Sequence, residues 1–94
     1  MTTVAASGNV GNVVRSAIAE QLGRTLDSFT DDSNLKDDLG ADSLNLLEIV
    51  NEVEANLDIE IGKLDPGRDK ADISTVGKFI GYAKRVKGVY GISE

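Results

Sequence analysis

The fold is decided by residues 43–57, which read SLNLLEIVNEVEANL. At about 100° per residue, five apolar side chains fall within one arc of about 100°, which is wide enough for the buried face of a helix. These five are Leu46, Ile49, Val50, Val53 and Leu57. The opposite side carries Leu44, Leu47, Glu48, Asn51, Glu54 and Ala55. The segment therefore predicts a helix with one core face and a second, mixed face where water is expected.

Two further segments repeat apolar residues at helical spacing. The first predicts a helix over residues 10–23, with Asn9 as its N-cap and Gly23 at its end. The second predicts a helix that begins after Ser74 as its N-cap and ends in a basic turn. Its apolar stripe consists of Val76, Phe79, Ile80, Ala83 and Val86.

Two connections separate these helices. Residues 25–42 form a long polar stretch whose large apolar anchors are Leu26, Phe29, Leu35 and Leu39. Loops of this length in so small a chain are often functional. Residues 59–72 contain Pro66 and Gly67, which favour a loop with at most one short helical turn. The sequence predicts an all-α fold, a small four-helix bundle of three main helices and one short helix with a long loop between the first two.

Composition excludes several classes of function. The chain has 94 residues with no Cys and no His, so it lacks a disulfide framework, a thiolate nucleophile and an imidazole base. Sixteen acids against ten bases and 4% aromatic residues argue against a nucleic-acid binder. No segment reaches the roughly 18 apolar residues of a membrane span, and the first residues lack the pattern of a signal peptide. We expect one monomeric, cytoplasmic domain without a metal site.

The acidic residues are concentrated in the middle of the chain. Residues 27–60 hold eleven acids and one base, so their charge is −10 although the total is −6. An acidic run is usually a solvated surface. The alternative interpretation is that this acidic run binds a partner with a basic patch.

Ser43 stands where the acidic loop meets the central helix. A serine at a helix start is most often a cap or a first-turn residue. Here Asp42 already suits the cap, no Glu or Gln lies three residues beyond Ser43, and Leu44, on the mixed face, follows at once. These features weaken the interpretation of Ser43 as a helix cap.

The segment around Ser43 resembles the acyl carrier protein family, whose signature is Asp-Ser-Leu preceded by Leu-Gly-x and followed by an acidic amphipathic helix. This chain reads Leu39, Gly40, Ala41, Asp42, Ser43, Leu44. The likeness covers about residues 10–86 and includes Ile73-Ser74-Thr75-Val76 before the last helix. It implies one acyl carrier domain over residues 1–94, structured over about residues 8–88, with the family's helical bundle.

The resemblance implies that Ser43 receives a 4′-phosphopantetheine arm from coenzyme A through a phosphopantetheinyl transferase, with Asp42 supporting the modification. The arm's thiol would hold acyl groups as thioesters, which a chain without cysteine can carry only on an added thiol. Catalysis would be left to other enzymes, so the chain itself is not expected to be an enzyme. Partners would be acyl-transfer, ketosynthase, reductase or ligase enzymes of fatty acid, specialised lipid or polyketide biosynthesis. They would bind Leu44, Leu47, Glu48 and Glu54 on the mixed face.

The resemblance also implies that an acyl chain can enter the bundle. The residues expected to line that cavity are Leu46, Ile49, Val50, Val53, Ile61, Phe79 and Ile80. Their ordinary role is a plain core.

Two features predict a specialised lipid or polyketide carrier: an enlarged segment before Ile73, and a charge that is mild for a fatty-acid carrier, with a net value of −6 and a basic C-terminal part. A further departure from the family pattern argues against fatty-acid synthase partners. Asn51 stands where the family often has an apolar residue, commonly Met. Ile73 follows Ser43 by 30 residues, several more than in familiar fatty-acid members, so the third-helix region is enlarged.

Other classes fit less well. No start position in the acidic loop satisfies the calcium-loop pattern of an EF-hand. A small enzyme would depend on carboxylates alone. A peptidyl or aminoacyl carrier stays open as an alternative, although such domains usually have Gly-Gly before the residue that precedes the serine. An unmodified acidic interaction domain is the other alternative.

Overall fold

The computed structural model describes residues 10–90, and these form a helical bundle. Its helices are α1 (Val10–Leu22), α2 (Ser43–Leu57), α3 (Pro66–Asp69) and α4 (Val76–Tyr90), with a 3-10 helix at Leu26–Ser28. α1 packs against both α2 and α4. The prediction of three main helices and one short helix is confirmed. No helix among these residues is long and apolar enough to cross a membrane.

The core combines the apolar faces of the three long helices with apolar residues of the connections between them. Every residue of the predicted α4 stripe is buried, and so are four of the five on α2, with Leu46 half-buried. Near the ends of α2 and α4, the Lys87 ammonium donates a hydrogen bond to the Leu57 carbonyl oxygen at 2.6 Å. A cation at this place satisfies a carbonyl at the C-terminus of α2, where the helix dipole is negative.

The long connection between α1 and α2 is ordered. Phe29, Leu35 and Leu39 are buried and fix it to the core as predicted, whereas Leu26 is about half exposed and is not an anchor. The Arg15 guanidinium donates to the Asp31 carboxylate and to the Leu26 carbonyl, both at 2.9 Å. The connection is therefore held from α1 by one arginine as well as by apolar contacts.

The same connection is also hydrogen-bonded to the start of α4. The Leu35 N–H donates to the Ser74 carbonyl at 2.9 Å, and the Gly77 N–H donates to the Asp31 carbonyl at 2.7 Å. A Cβ at position 77 would lie 3.2 Å from that Asp31 oxygen, so the close approach favours glycine. Gly77 lowers the helix propensity of α4, but it allows this close contact with the loop.

Two predicted helix caps have different outcomes. Ser74 is not the cap of α4: the Thr75 hydroxyl accepts from the Lys78 N–H at 3.2 Å, so the cap lies one residue later. Ser74 instead donates its own N–H to the Asp72 carboxylate at 3.0 Å. Asn9, the predicted cap of α1, lies outside the described residues, as does residue 8 of the predicted structured range.

Candidate functional site

The start of α2 is held by a capping box. The Asp42 carboxylate accepts from the Asn45 N–H at 2.8 Å, and the Asp42 N–H donates to the Asn45 side-chain oxygen at 3.1 Å. The prediction that Asp42 is the cap is confirmed. The box itself was missed because it begins at Asp42, not at Ser43, and uses Asn45 in place of the usual Glu or Gln.

Ser43 is the first residue of α2, and its side chain is exposed. Because Asp42 takes the capping role, no group among residues 10–90 hydrogen-bonds to the Ser43 hydroxyl. The N–H groups of Ser43 and Leu44 are likewise unpaired within that range, as expected for the first turn of a helix. An accessible hydroxyl beside free N–H donors and the positive end of a helix dipole suits an attached phosphodiester.

The loop before Ser43 is fixed by short contacts. The Asn34 side-chain oxygen accepts the N–H groups of Lys36 and Asp37, at 3.0 and 2.8 Å. The Ala41 N–H donates to the Leu35 carbonyl at 2.8 Å, and the Ala41 side chain is buried. Gly40 has a φ of 71°, which glycine adopts without strain. Ser43 is therefore presented from a rigid turn.

The second face of α2 is partly as predicted. Leu44 and Leu47 are 62% and 55% exposed, and Glu48 is exposed beside them. Ile61 is 90% exposed in the segment that follows α2. Exposed apolar side chains among acidic ones are typical of a surface that meets a partner.

Glu54 does not belong to this exposed face, so its predicted placement there is wrong. It is only 4% exposed, and one of its carboxylate oxygens accepts the N–H groups of Gly62 and Leu64, each at 2.9 Å. The chain folds back over α2 after Ile59 and covers the side of the helix that carries Glu54. Its carboxylate therefore holds the returning segment against α2.

A groove of about 660 Å³ begins at Ser43 and runs between α2 and the segment that follows it. Its volume lies within the ordinary range of small-molecule sites. Apolar side chains dominate its lining, with Asn51, Glu54 and Asp65 as polar members. The main apolar side chains are Leu46, Leu47, Val50, Leu64, Pro66 and Ile73. We call this feature the α2 groove.

The predicted cavity lining divides into two groups. Leu46, Val50 and Ile61 line the α2 groove, although Ile61 lies at its rim and is almost fully exposed. The other four are buried in the core and do not line it: Ile49, Val53, Phe79 and Ile80. Helical periodicity found the residues that face inward, but it could not tell which of them border the groove.

Sequence reasoning also missed Tyr82, which is buried on α4. Its hydroxyl donates to the Asp69 carboxylate at 2.5 Å and accepts the Asp65 N–H at 2.9 Å. Burial, followed by the bond to Asp69, raises the pKa of Tyr82 to about 12. Hydrogen bonds from Arg68 and Tyr82 lower the pKa of Asp69. A tyrosine four residues before a buried Val86 was the available signal.

One acidic side chain on α2, Glu52, also has a shifted pKa. Burial and a hydrogen bond with Glu20 raise the pKa of Glu52, which lies at the contact between α1 and α2. The Gln21 amide donates to the Glu52 carboxylate at 2.9 Å.

Within residues 10–90 no three His, Cys, Asp or Glu side chains converge to hold a metal ion.

Comparison with known proteins shows the family to which this chain belongs. The family described as "Phosphopantetheine attachment site" matches residues 12–82. An acyl carrier protein from Akkermansia muciniphila is 39% identical over 75 residues, covering 80% of this chain and 89% of the relative. One from an Exiguobacterium species (strain AT1b) is 39% identical over 69 residues, covering 73% and 82%. The chain therefore belongs to the acyl carrier protein family, whose members hold 4′-phosphopantetheine covalently.

Proposed function

We propose that Ser43 is the residue to which the phosphopantetheine group is attached. The observation that carries this proposal is the exposed hydroxyl at the first position of α2, left without a hydrogen bond among residues 10–90 by the Asp42 cap. The α2 groove starts at the same residue. The group supplies a terminal thiol that holds acyl groups as thioesters, in a chain that has no cysteine of its own.

The chain is an acyl carrier, and its family interacts with a phosphopantetheinyl transferase and with biosynthetic enzymes. We infer that it catalyses no step itself and that residues 1–94 form one carrier domain. The family match over residues 12–82 and the shared core of α1, α2 and α4 support this. The curated relatives, both acyl carrier proteins, do not favour the peptidyl carrier alternative.

Partner enzymes would bind the exposed face formed by Leu44, Leu47 and Glu48. Its support is the exposure of two leucines beside Ser43 in an acidic region, where charges speed encounter with a basic partner. Ile61 adds a third exposed apolar side chain at the rim of the α2 groove. Asp42 would assist the transferase, since its second carboxylate oxygen has no hydrogen-bond partner among residues 10–90.

The α2 groove would receive the acyl chain. Each methylene that leaves water contributes about 0.8 kcal/mol, so a chain of several carbons gains enough to enter a preformed apolar groove. Asn51 and the extended segment before Ile73 both border the groove. Since these are the positions that depart from the family pattern, we propose a specialised lipid or polyketide cargo.

The attachment proposal is tested by intact mass spectrometry after incubation with coenzyme A and a broad-specificity phosphopantetheinyl transferase. Wild type and Ser33→Ala are expected to gain one phosphopantetheine group, and Ser43→Ala none. Ser33 is a matched control because it lies in the same loop region, where its hydroxyl accepts the Thr30 N–H. A gain in Ser43→Ala, or none in wild type, contradicts the proposal.

A further inference from the structure

One side of the α2 groove is a segment that is tied down at both ends. We call residues 61–71 the groove wall; it contains α3 and supplies Leu64, Pro66 and Ala71 to the lining. Because α2 forms the opposite side, the distance between α2 and the groove wall sets the width of the groove. The bonds that hold the wall therefore decide what the groove admits.

The first tie is Glu54 on α2. Its carboxylate accepts the N–H groups of Gly62 and Leu64, and Glu54 and Leu64 are both buried. The bond to Leu64 is shielded from water, so water cannot readily replace it when the wall moves, whereas the bond to Gly62 is partly exposed. They fix the first part of the groove wall to α2.

The second tie is Tyr82 on α4. Its hydroxyl bonds to the Asp65 N–H on one side of α3 and to the Asp69 carboxylate on the other. Tyr82 is 3% exposed, so its ring is part of the core while its hydroxyl reaches the wall. This tie fixes the second part of the wall to a different helix from the first.

Hydrogen bonds within the groove wall also hold it together between the two ties. The Arg68 guanidinium donates to the carbonyl oxygens of Gly62 and Lys63, at 3.1 and 2.9 Å, and to the Asp69 carboxylate at 3.1 Å. The Asp65 carboxylate caps α3 by accepting the Arg68 N–H. A segment braced in this way moves as a unit, so widening the groove requires at least one tie to open.

We propose that Glu54 and Tyr82 are positioning residues that fix the groove wall and thereby limit the length of acyl chain that the α2 groove accepts. This inference rests on the proposed function, since it assumes an acyl group attached at Ser43. Neither residue touches the attachment point through any hydrogen bond. Their effect is exerted through the wall, and it concerns which cargo is sheltered.

The first test needs no attached group. Amide hydrogen exchange in the unmodified protein is expected to be about tenfold faster for Asp65 in Tyr82→Phe than in wild type, because a shielded hydrogen bond is lost. The amides of α1 should exchange at unchanged rates. Lys84→Ala, an exposed change on α4, is the control and should leave Asp65 unaffected. Unchanged exchange of Asp65 in Tyr82→Phe overturns the second tie.

The second test uses the modified protein, loaded with saturated acyl chains of increasing length. The measured quantity is the melting temperature of each acyl form minus that of the form with a free thiol. In wild type this difference should rise with chain length to a maximum, and in Tyr82→Phe the maximum should lie at a longer chain. A merely structural role would lower both melting temperatures equally and leave the maximum in place, which would overturn the proposal.

Asp69→Ala provides a second variant that keeps the Tyr82 ring and removes the acceptor of its hydroxyl. It should shift the maximum in the same direction, by less than Tyr82→Phe, since the bond to Asp65 persists. If wild type takes up no phosphopantetheine, the proposed attachment fails. The exchange test still decides whether the ties exist.

Discussion

Replacing Glu54 by alanine is expected to destabilise the bundle strongly. The change leaves the N–H groups of Gly62 and Leu64 without their acceptor. An unpaired buried N–H costs about 1–3 kcal/mol; Leu64 is buried, whereas Gly62 is exposed enough for water to replace part of its bond. The expected loss in the free energy of unfolding is therefore about 2–4 kcal/mol.

The assay is thermal and urea denaturation followed by circular dichroism. In a domain of this size each 1 kcal/mol moves the melting temperature by about 4–8 °C, so Glu54→Ala should melt at least about 8 °C below wild type. Glu54→Gln keeps a neutral acceptor and should lose about half as much, because bonds to charged acceptors are roughly twice as strong.

Glu48→Ala is the matched control on the same helix. Glu48 is exposed, and its replacement should change the free energy of unfolding by no more than about 0.5 kcal/mol. If Glu54→Ala behaves like Glu48→Ala, Glu54 is not a structural tie, and its assignment to the partner face would be restored.

Three further changes have defined outcomes. Asp42→Ala should lower the free energy of unfolding by about 1 kcal/mol in denaturation experiments, because the bond to the Asn45 N–H is lost. Leu47→Asp should change stability by no more than about 0.5 kcal/mol but reduce kcat/KM of a partner acyltransferase or ketosynthase, since Leu47 is exposed. The third concerns pH: the pKa of Tyr82 is raised to about 12, above its value of about 10 in the unfolded chain. The unfolded chain therefore releases this proton first, and the free energy of unfolding falls as the pH rises from about 10 to 12. Tyr82→Phe should remove that part of the fall in alkaline denaturation.

A specific result would contradict each of these three predictions. Equal stability of wild type and Asp42→Ala would mean that the capping box adds nothing to α2. Loss of helicity in Leu47→Asp would place Leu47 in the core. Identical alkaline profiles for wild type and Tyr82→Phe would mean that the phenol is not held in its neutral form by the fold.

The sequence was sufficient to predict the helices and their buried faces. The apolar residues of α2 and α4 recur with a helical period, and packing buries the face on which they lie. It was also sufficient for Asp42 as a cap, since carboxylates are common at that position. These features are local, and they depend on residues a few positions apart.

The errors concern contacts that periodicity does not record. Glu54 lies on the outer side of an isolated α2, and only the return of residues 59–64 over that side buries it. Ile61 is apolar, yet the same return leaves it exposed at the groove rim. Tyr82 reaches Asp65 and Asp69 across 17 and 13 residues of chain. A helical wheel contains no information about such long-range pairs.

The central claim, that Ser43 carries the phosphopantetheine group, is tested most directly by locating the added mass. Trypsin cleaves after Lys36 and Lys63, and the peptide of residues 37–63 contains Ser43 as its only hydroxyl-bearing side chain. After incubation with coenzyme A and a phosphopantetheinyl transferase, this peptide should gain the mass of one phosphopantetheine group. An unmodified 37–63 peptide, or the added mass on any other peptide, would contradict the claim.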